Sequence, residues 1–253
     1  MAFSRGMLEL GATPYALLSR RRSWFAHGAS LVARFPVVVG RKRVVLDLGC
    51  GPGISARAFR AVARDDVIIG LDLSARMLRH AVKDDAAREI VWTRGDAHAL
   101  PLADASVDVV TGHSFLYLLP DRDRALAEIA RVLRPGGRLV LVEPRAQSVW
   151  HDLVSLVRVL FRSGPAFALF MLGWRFAAAL SGAFTEGSLR ALLSARAFVE
   201  PVVERTIHGL GFLVVAHAPL PPRTTADEEP LSFASLAALS VVEPEASRAA
   251  PSM

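Results

Sequence analysis

Short apolar runs alternate with amphipathic stretches along the first half of the chain. Such runs, mostly apolar and rich in β-branched residues, are typical of strands buried on both faces. They lie at residues 44–48, 67–73, 90–92, 107–112 and 138–142. Helical spacing fills the intervals, including the stretch from Asp121 to Leu133. Strands that alternate with helices pair in parallel, so the pattern predicts an open α/β sheet.

Glycines and polar residues follow these runs at the predicted carboxyl ends of the strands. The first run leads into a loop of alternating glycines, residues 49–53, which opens a helix. The second run ends on Asp72, 19 residues beyond Gly53, near the spacing at which an acid binds a ribose diol. The third run leads to Asp96 and the fourth to His113. Because open α/β sheets bind ligands at this edge, we expect a polar ligand there.

Four ordered motifs resemble those of the class I S-adenosylmethionine-dependent methyltransferases, especially the small-molecule branch that includes quinone-ring methyltransferases. The motifs are Leu46-Asp47-Leu48-Gly49-Cys50-Gly51-Pro52-Gly53, Gly70-Leu71-Asp72-Leu73-Ser74 with Met77, Gly95-Asp96-Ala97 with Leu100-Pro101-Leu102, and residues 128–137. The resemblance is dense over residues 40–145 and resumes at residues 184–218. It implies a Rossmann-like seven-stranded sheet of order 3-2-1-4-5-7-6 with strand 7 antiparallel. Helices would cover both faces, with a helical cap insertion.

The resemblance also implies a cofactor and its ligands. The glycine loop would cradle the methionine portion of S-adenosylmethionine, and Asp47 would hold that loop. Asp72 would accept hydrogen bonds from both ribose hydroxyls, which suits a carboxylate, and Asp96 would bind the adenine amino group. The implied cofactor-binding set is Tyr15, Asp47, Gly49, Cys50, Gly51, Gly53, Asp72, Leu73, Met77, Asp96, Ala97 and His113. No metal is expected.

The implied reaction is in-line methyl transfer to a small, lipophilic acceptor, with O- or C-methylation favoured. The cofactor carries the activation, so the protein mainly supplies positioning. A phenol or an enolisable carbon would need a general base, for which the candidates are His113, Tyr117 and His151. Tyr117 stands where relatives often carry histidine, which leaves base catalysis open.

Three other classes stay open. Gly51 and Gly53 with Ala56 satisfy a loose dinucleotide pattern, although the Asp96 motif and a predicted closing hairpin at residues 198–208 and 211–217 disfavour a nicotinamide enzyme. The net charge of +6, with basic triplets at residues 20–22 and 41–43, keeps an RNA or other nucleic-acid methyltransferase as an alternative. A non-catalytic cofactor-binding protein is the third alternative.

The organisation outside the core is equally informative. We expect a flexible N-terminus at residues 1–14, a single domain at residues 15–218 and a proline-rich, mobile tail at residues 219–253. The insertion at about residues 147–183 carries two apolar helical stretches separated by Gly164 and Pro165. Neither supplies about 20 uninterrupted apolar residues, so a transmembrane span is disfavoured.

The apolar character of this insertion leaves several functions open. Core packing, a lipophilic acceptor pocket, a peripheral membrane contact and a subunit contact all suit it. The single cysteine, Cys50, and the absence of a signal-peptide pattern predict a cytoplasmic protein, with membrane association left open.

Overall fold

The computed structural model describes Ala16 and residues 22–220, and all structural statements concern these residues. The strands are β1 (Val44–Leu48), β2 (Val67–Asp72), β3 (Val91–Arg94), β4 (Val107–His113), β5 (Leu133–Pro144), β6 (Val199–Thr206) and β7 (Gly211–His217). The α-helices are α1 (Arg22–Ser30), α2 (Ile54–Val62), α3 (Ala75–Asp84), α4 (Arg122–Val132), α5 (Val149–Ser163), α6 (Pro165–Ser181) and α7 (Glu186–Ser194). Short 3-10 turns cover Leu31–Arg34, Leu116–Leu118 and Ile207–Gly209.

The seven strands form one sheet in the order β3-β2-β1-β4-β5-β7-β6. The first five pair in parallel, and β7 runs antiparallel to both β5 and β6. This topology confirms the sheet order predicted from the sequence. Strand order reverses between β1 and β4, and open sheets of this kind bind ligands at that switch point.

The sheet is buried on both faces. Alternate side chains of its central strands point in opposite directions and pack into two separate apolar clusters. Leu46 of β1 packs into one apolar cluster, together with Leu126 and Ile129 of α4. Its neighbour Val45 packs into the other cluster, against Phe59 of α2. All seven residues of β4 are buried, so this strand forms the centre of the core.

Some boundaries differ from the sequence prediction. The fifth apolar run, predicted at residues 138–142, lies within a longer strand, β5, whose register against β4 shifts between Val107 and Val109. Helix α1 ends at Ser30 and is followed by a 3-10 turn at Leu31–Arg34. Residues 1–15 and 221–253 lie outside the described residues, so the flexible N-terminus, the role of Tyr15 and the mobile tail stay predictions.

The basic triplet at residues 41–43 forms intramolecular contacts. Arg41 donates to the buried carboxylate of Asp108 at 2.7 Å, and Arg134 donates to the same carboxylate at 2.8 Å. Arg43 donates to both oxygens of Asp66 at 3.0 Å. These contacts join the chain before β1 to β4 and β2, so two of the three charges stabilise the sheet.

The cap consists of α5 and α6, which pack against each other and are joined at Gly164. The apolar stripe on α5 does not pack into the core: Trp150 is 77% exposed and Phe161 83%, while Ser155 and Val159 are buried. Core packing is therefore the wrong interpretation of this stripe. In the described part of the chain, no helix has the length and apolarity needed to cross a bilayer.

Candidate cofactor site

Buried polar atoms gather where β1 and β4 meet at the switch point. Asp47 and Thr111 are register partners across these two strands. Asp47 Oδ2, Thr111 Oγ1, His113 Nε2 and Ser114 Oγ are buried and have no hydrogen-bond partner among the described residues. Ser114 also has a left-handed backbone with φ of +59°. Orphaned polar atoms and local strain are both costly and concentrate at ligand sites.

Asp47 is the acid of this group, and only 1% of its surface is exposed. Burial raises the pKa of its carboxyl to about 8, and the nearby charge of Asp72 adds to the rise. An adjacent cationic group would favour the ionised form and lower this pKa. Asp47 is thus suited to a ligand that carries a positive charge.

The glycine loop is constrained by the protein's own side chains. Gly49 has φ of +67°, and a Cβ on it would lie 2.5 Å from the Cβ of Phe115. A Cβ on Gly53, where φ is +77°, would lie 2.3 Å from the ring of Trp92. Ligand approach was the expected reason for these glycines; the structure gives left-handed backbone and close packing as sufficient reasons.

Asp72, the last residue of β2, and Asp96, which follows β3, already form hydrogen bonds within the protein. Asp72 accepts from the backbone N–H of Gly51 and of Ser74, both at 2.8 Å. It thereby ties the glycine loop to the end of β2. A carboxylate offers about four acceptor positions, so a diol can share it with these donors. Asp96 accepts from the backbone N–H of His98 at 2.9 Å and contacts its ring Nδ1 at 2.7 Å.

Four further residues of the implied cofactor-binding set, none of them a glycine, are buried or half-buried. Cys50 and Ala97 are buried, and Leu73 and Met77 are half-buried. Burial raises the pKa of the Cys50 thiol far above its ordinary value. Cys50 is therefore a poor nucleophile, in agreement with a packing role for a small residue in a tight loop.

His113 lies in a cluster that the sequence did not reveal. Its Nδ1 is 2.6 Å from Ser55 Oγ, and its ring lies 5.2 Å from Trp24 and 5.4 Å from His27. Burial lowers the pKa of His113 to about 3 and also lowers that of His27. Both rings are consequently neutral near pH 7, and His113 is a weak base in this arrangement.

Tyr117 and His151 lie in different surroundings. Tyr117 is buried within the core cluster next to β4. His151 is exposed in the first turn of α5, where its Nδ1 lies 2.8 Å from the capping hydroxyl of Ser148. The catalytic roles of His113, Tyr117 and His151 stay predictions.

Glu143, at the carboxyl end of β5, is a site residue that sequence reasoning missed. It is fully buried and accepts from the backbone N–H groups of Phe115, Leu116 and Tyr117 at 3.0–3.3 Å. Burial raises its pKa to about 8. The carboxylate shapes the loop after β4, which includes the ring that closes over Gly49. Applying the strand-end rule to β5 would have found it.

The cap reaches this site through aromatic contacts. Phe170 of α6 packs edge-on against Trp24 of α1 at 5.7 Å, and Phe167 lies 6.4 Å from Trp24. Trp24 in turn contacts His113. A continuous aromatic path therefore runs from the inner face of α6 to the end of β4. We call Trp24, His27, His113, Phe167 and Phe170 the aromatic cluster.

Known proteins share this architecture and its motifs. Residues 46–141 match the family described as a methyltransferase domain. This part of the chain is therefore similar to a methyltransferase domain. The chain is 38% identical over 115 residues to 27-O-demethylrifamycin SV methyltransferase of Amycolatopsis mediterranei, covering 44% of this chain and 41% of that protein. It is 40% identical over 128 residues to demethylmenaquinone methyltransferase of Lactiplantibacillus plantarum, covering 46% and 54%.

The chain thus spans about half the length of these curated relatives. Among solved structures, the fold resembles a SAM-dependent methyltransferase from Methanosarcina mazei, with a TM-score of 0.55 and 22% identity over 76% of this chain and 98% of that one. At this identity the likeness shows the fold alone.

S-adenosylmethionine is the cofactor of this family, and the residues present fit it. The molecule carries an ammonium group, a sulfonium, a ribose diol and an adenine amino group, all of which favour acceptors or negative charge. The end of the sheet supplies Asp47, Asp72 and Asp96, with an orphaned oxygen on Asp47. When bound, the cofactor would supply an activated methyl group. The chain's own residues would orient it and exclude water.

Proposed function

We propose that this protein transfers a methyl group from S-adenosylmethionine to a small, lipophilic acceptor, with oxygen or carbon as the methylated atom. The observation that carries the proposal is the group of orphaned polar atoms at the β1–β4 switch point, beside the three strand-end acids. The printed names of the relatives, a demethylrifamycin and a demethylmenaquinone methyltransferase, support a small-molecule acceptor.

The aromatic cluster supports a lipophilic acceptor. Aromatic and aliphatic walls with a few polar groups are typical of small-molecule sites. Trp24, Phe167 and Phe170 supply such walls, and His113 with Ser55 supplies polar atoms at one end. In this arrangement the cap would cover the acceptor and remove water from the reacting atoms.

The proposed organisation keeps residues 15–218 as one catalytic domain, with the cap as its acceptor-binding part. We further propose that the protein is cytoplasmic and that it contacts a membrane. Tyr15, Leu73, Met77 and Ala97 would complete the cofactor site. His113, Tyr117 and His151 stay the candidates for a base, and His113 would need a hydrogen-bond partner that raises its pKa.

Calorimetric titration tests the cofactor part of the proposal. The protein should bind S-adenosylmethionine and not NAD. Asp72→Ala should weaken binding by about 1.5–3 kcal/mol, the range for hydrogen bonds to a charged group. Asp72→Asn is the less disruptive companion variant, because its single amide oxygen still accepts from either Gly51 or Ser74 while the negative charge is removed. Tight NAD binding would contradict the assignment.

Methyl transfer itself is tested with isotopically labelled cofactor and a lipid and quinone extract, followed by mass spectrometry of the products. Labelled small molecules are the expected result. Label in RNA, or RNA that co-purifies with the protein, would favour the nucleic-acid alternative. The ion pairs of Arg41 and Arg43 speak against that alternative, because these charges already bind Asp108 and Asp66. Cofactor binding without any labelled product would favour a non-catalytic protein.

A further inference from the structure

Helix α5 presents an entirely apolar face to solvent. Seven large apolar side chains on it are more than two-fifths exposed: Val149, Trp150, Leu153, Val154, Val157, Leu160 and Phe161. At about 100° per residue, these positions span an arc of about 140° without a polar residue among them. A surface helix of a globular protein normally turns this side inward, so α5 is inverted.

Polar contacts hold α5 in this orientation. Asp152 accepts from Arg175 of α6 at 3.0 Å, and Arg175 is itself buried and donates to the carbonyl of Arg145 at 2.7 Å. Ser155 is buried beside Gly209. Rotating the apolar face inward would separate Asp152 from Arg175, and leaving a buried arginine without its partner is costly.

Helix α6 also carries exposed apolar side chains. Its inner face carries the aromatic cluster, but Leu169, Leu172, Phe176 and Leu180 on its other side are each more than half exposed. The hairpin therefore exposes eleven large apolar side chains, seven on α5 and four on α6. We call these eleven residues the cap surface. Exposed apolar clusters of this kind mark sites of contact with a partner or a membrane.

Positive charge borders the cap surface. Arg158 and Arg162 are exposed on α5, and neither is in an ion pair within the part of the chain that the structure describes. Both lie close enough to His208 to lower its pKa. Asp152 is the one acid between residues 149 and 181, and Arg175 neutralises it. The helix thus combines an apolar face with uncompensated arginines at its edge.

We propose that the cap surface docks onto an anionic phospholipid bilayer, with α5 lying in the plane of the interface. An apolar face bordered by arginines suits this position, because the side chains enter the acyl boundary while guanidinium groups reach lipid phosphates. The inference deepens the proposed function: a lipophilic acceptor in the bilayer would approach α6, whose inner face reaches His113. Docking itself requires neither acceptor nor turnover.

Vesicle flotation of the full-length protein tests the proposal. Binding to phosphatidylcholine vesicles that contain phosphatidylglycerol should exceed binding to pure phosphatidylcholine by about tenfold or more at low salt. The double variant Trp150→Glu, Leu153→Glu should lose about tenfold or more of this binding. Its matched control is Val62→Glu, Val82→Glu, two apolar residues on α2 and α3 with similar exposure to Leu153. The control should bind like the parent protein.

The arginines are tested separately. Arg158→Ala with Arg162→Ala should reduce the preference for anionic vesicles by about tenfold, given two charges near the surface. Arg64→Ala with Arg79→Ala, also exposed, is the control and should leave the preference unchanged. Every variant should keep the parent's melting temperature and its affinity for S-adenosylmethionine, since none of these side chains lies at the cofactor site.

Several results would overturn the proposal. One is failure of the parent protein to bind anionic vesicles, and another is equal loss in the cap and control variants. A dimer that becomes monomeric in the Trp150 variant, without vesicle binding, would assign the face to a second copy. Shielding of Trp150 from acrylamide in vesicle-free protein, measured against Trp150→Phe, would show that the chain itself covers it. A failure of S-adenosylmethionine binding would instead refute the proposed function.

Discussion

The end of the sheet and the cap hairpin reverse the usual placement of polar and apolar groups. At the end of the sheet, Asp47 and Glu143 are buried almost completely, and burial raises the pKa of both to about 8. On the cap, Trp150 and Phe161 are almost fully exposed. Both arrangements cost folding free energy, because buried charge and exposed apolar surface are each unfavourable in isolation. These two arrangements are the basis for our proposals of a cationic cofactor at the first region and lipid at the second.

The largest expected effect separates the two faces of α6. Trp174→Ala should cost about 3–5 kcal/mol of unfolding free energy, because its buried ring packs close to the start of β7. Phe176→Ala, on the exposed face, should stay within about 0.5 kcal/mol of the parent protein. Chemical denaturation measures both. Equal losses would show that the outer face is also packed and would remove the contrast.

Phe170→Ala sharpens the same contrast. Its ring contacts Trp24 of the aromatic cluster, so the variant should weaken acceptor use by about 1–3 kcal/mol in addition to its stability cost. Cofactor affinity should stay unchanged. Loss of cofactor affinity in parallel with stability would assign Phe170 to the core alone. Trp174→Ala serves as the comparison for a purely structural loss.

Glycines of the two regions should respond differently. Gly49→Val should destabilise the fold by about 2–4 kcal/mol, because a left-handed backbone and the ring of Phe115 both oppose a side chain there. Gly173→Ala, in the middle of α6, meets no atom within 4 Å and should stabilise by up to about 1 kcal/mol. Thermal unfolding measures both. A stable Gly49→Val that merely loses cofactor binding would restore ligand approach as the reason for this glycine.

Two carboxyls with raised pKa values in the folded state, Asp47 and Glu143, should each make stability fall as pH rises, whereas the lowered pKa of His113 acts in the opposite direction below about pH 6.5. The stabilisation from a carboxyl with a raised pKa is fully present below the pKa of the unfolded chain, and it is lost as pH rises through the folded value of about 8. Between pH 5 and 9, the free energy of unfolding of Glu143→Gln should therefore fall less than that of the parent protein, by a difference on the order of 1–3 kcal/mol. Denaturation at several pH values measures it. An unchanged slope would mean that Glu143 is ionised in the folded protein at neutral pH.

The smallest expected effect is the release of a proton when the cofactor binds. Asp47 has a pKa of about 8 in the free protein, and a cationic ligand should lower it. Cofactor binding near pH 7 should then release up to about one proton. Calorimetry in two buffers of different ionisation enthalpy measures this release, and Asp47→Asn should abolish it. The same release in that variant would assign the proton to another group.

The sequence by itself determined the sheet and the edge of the sheet at which the strand-end acids lie. The apolar runs gave the strands β1 to β4 nearly to the residue, and the resemblance of the motifs supplied the order 3-2-1-4-5-7-6. Both depend on local patterns: a buried strand needs a continuous apolar run, and a ligand edge needs glycines and acids after it. Asp47, Asp72 and Asp96 lie at the same end of the sheet for this reason.

Only the tertiary structure decided what each apolar stripe contacts. Periodicity shows that α5 has an apolar side, but it cannot show which way that side points; the pair between Asp152 and Arg175 turns it toward solvent. Likewise, Ser55 and His113 are 58 residues apart and meet only because α2 packs beside β4. Long-range contacts of this kind leave no periodic signal in the chain. The aromatic cluster and the cap surface therefore became visible only in the folded protein.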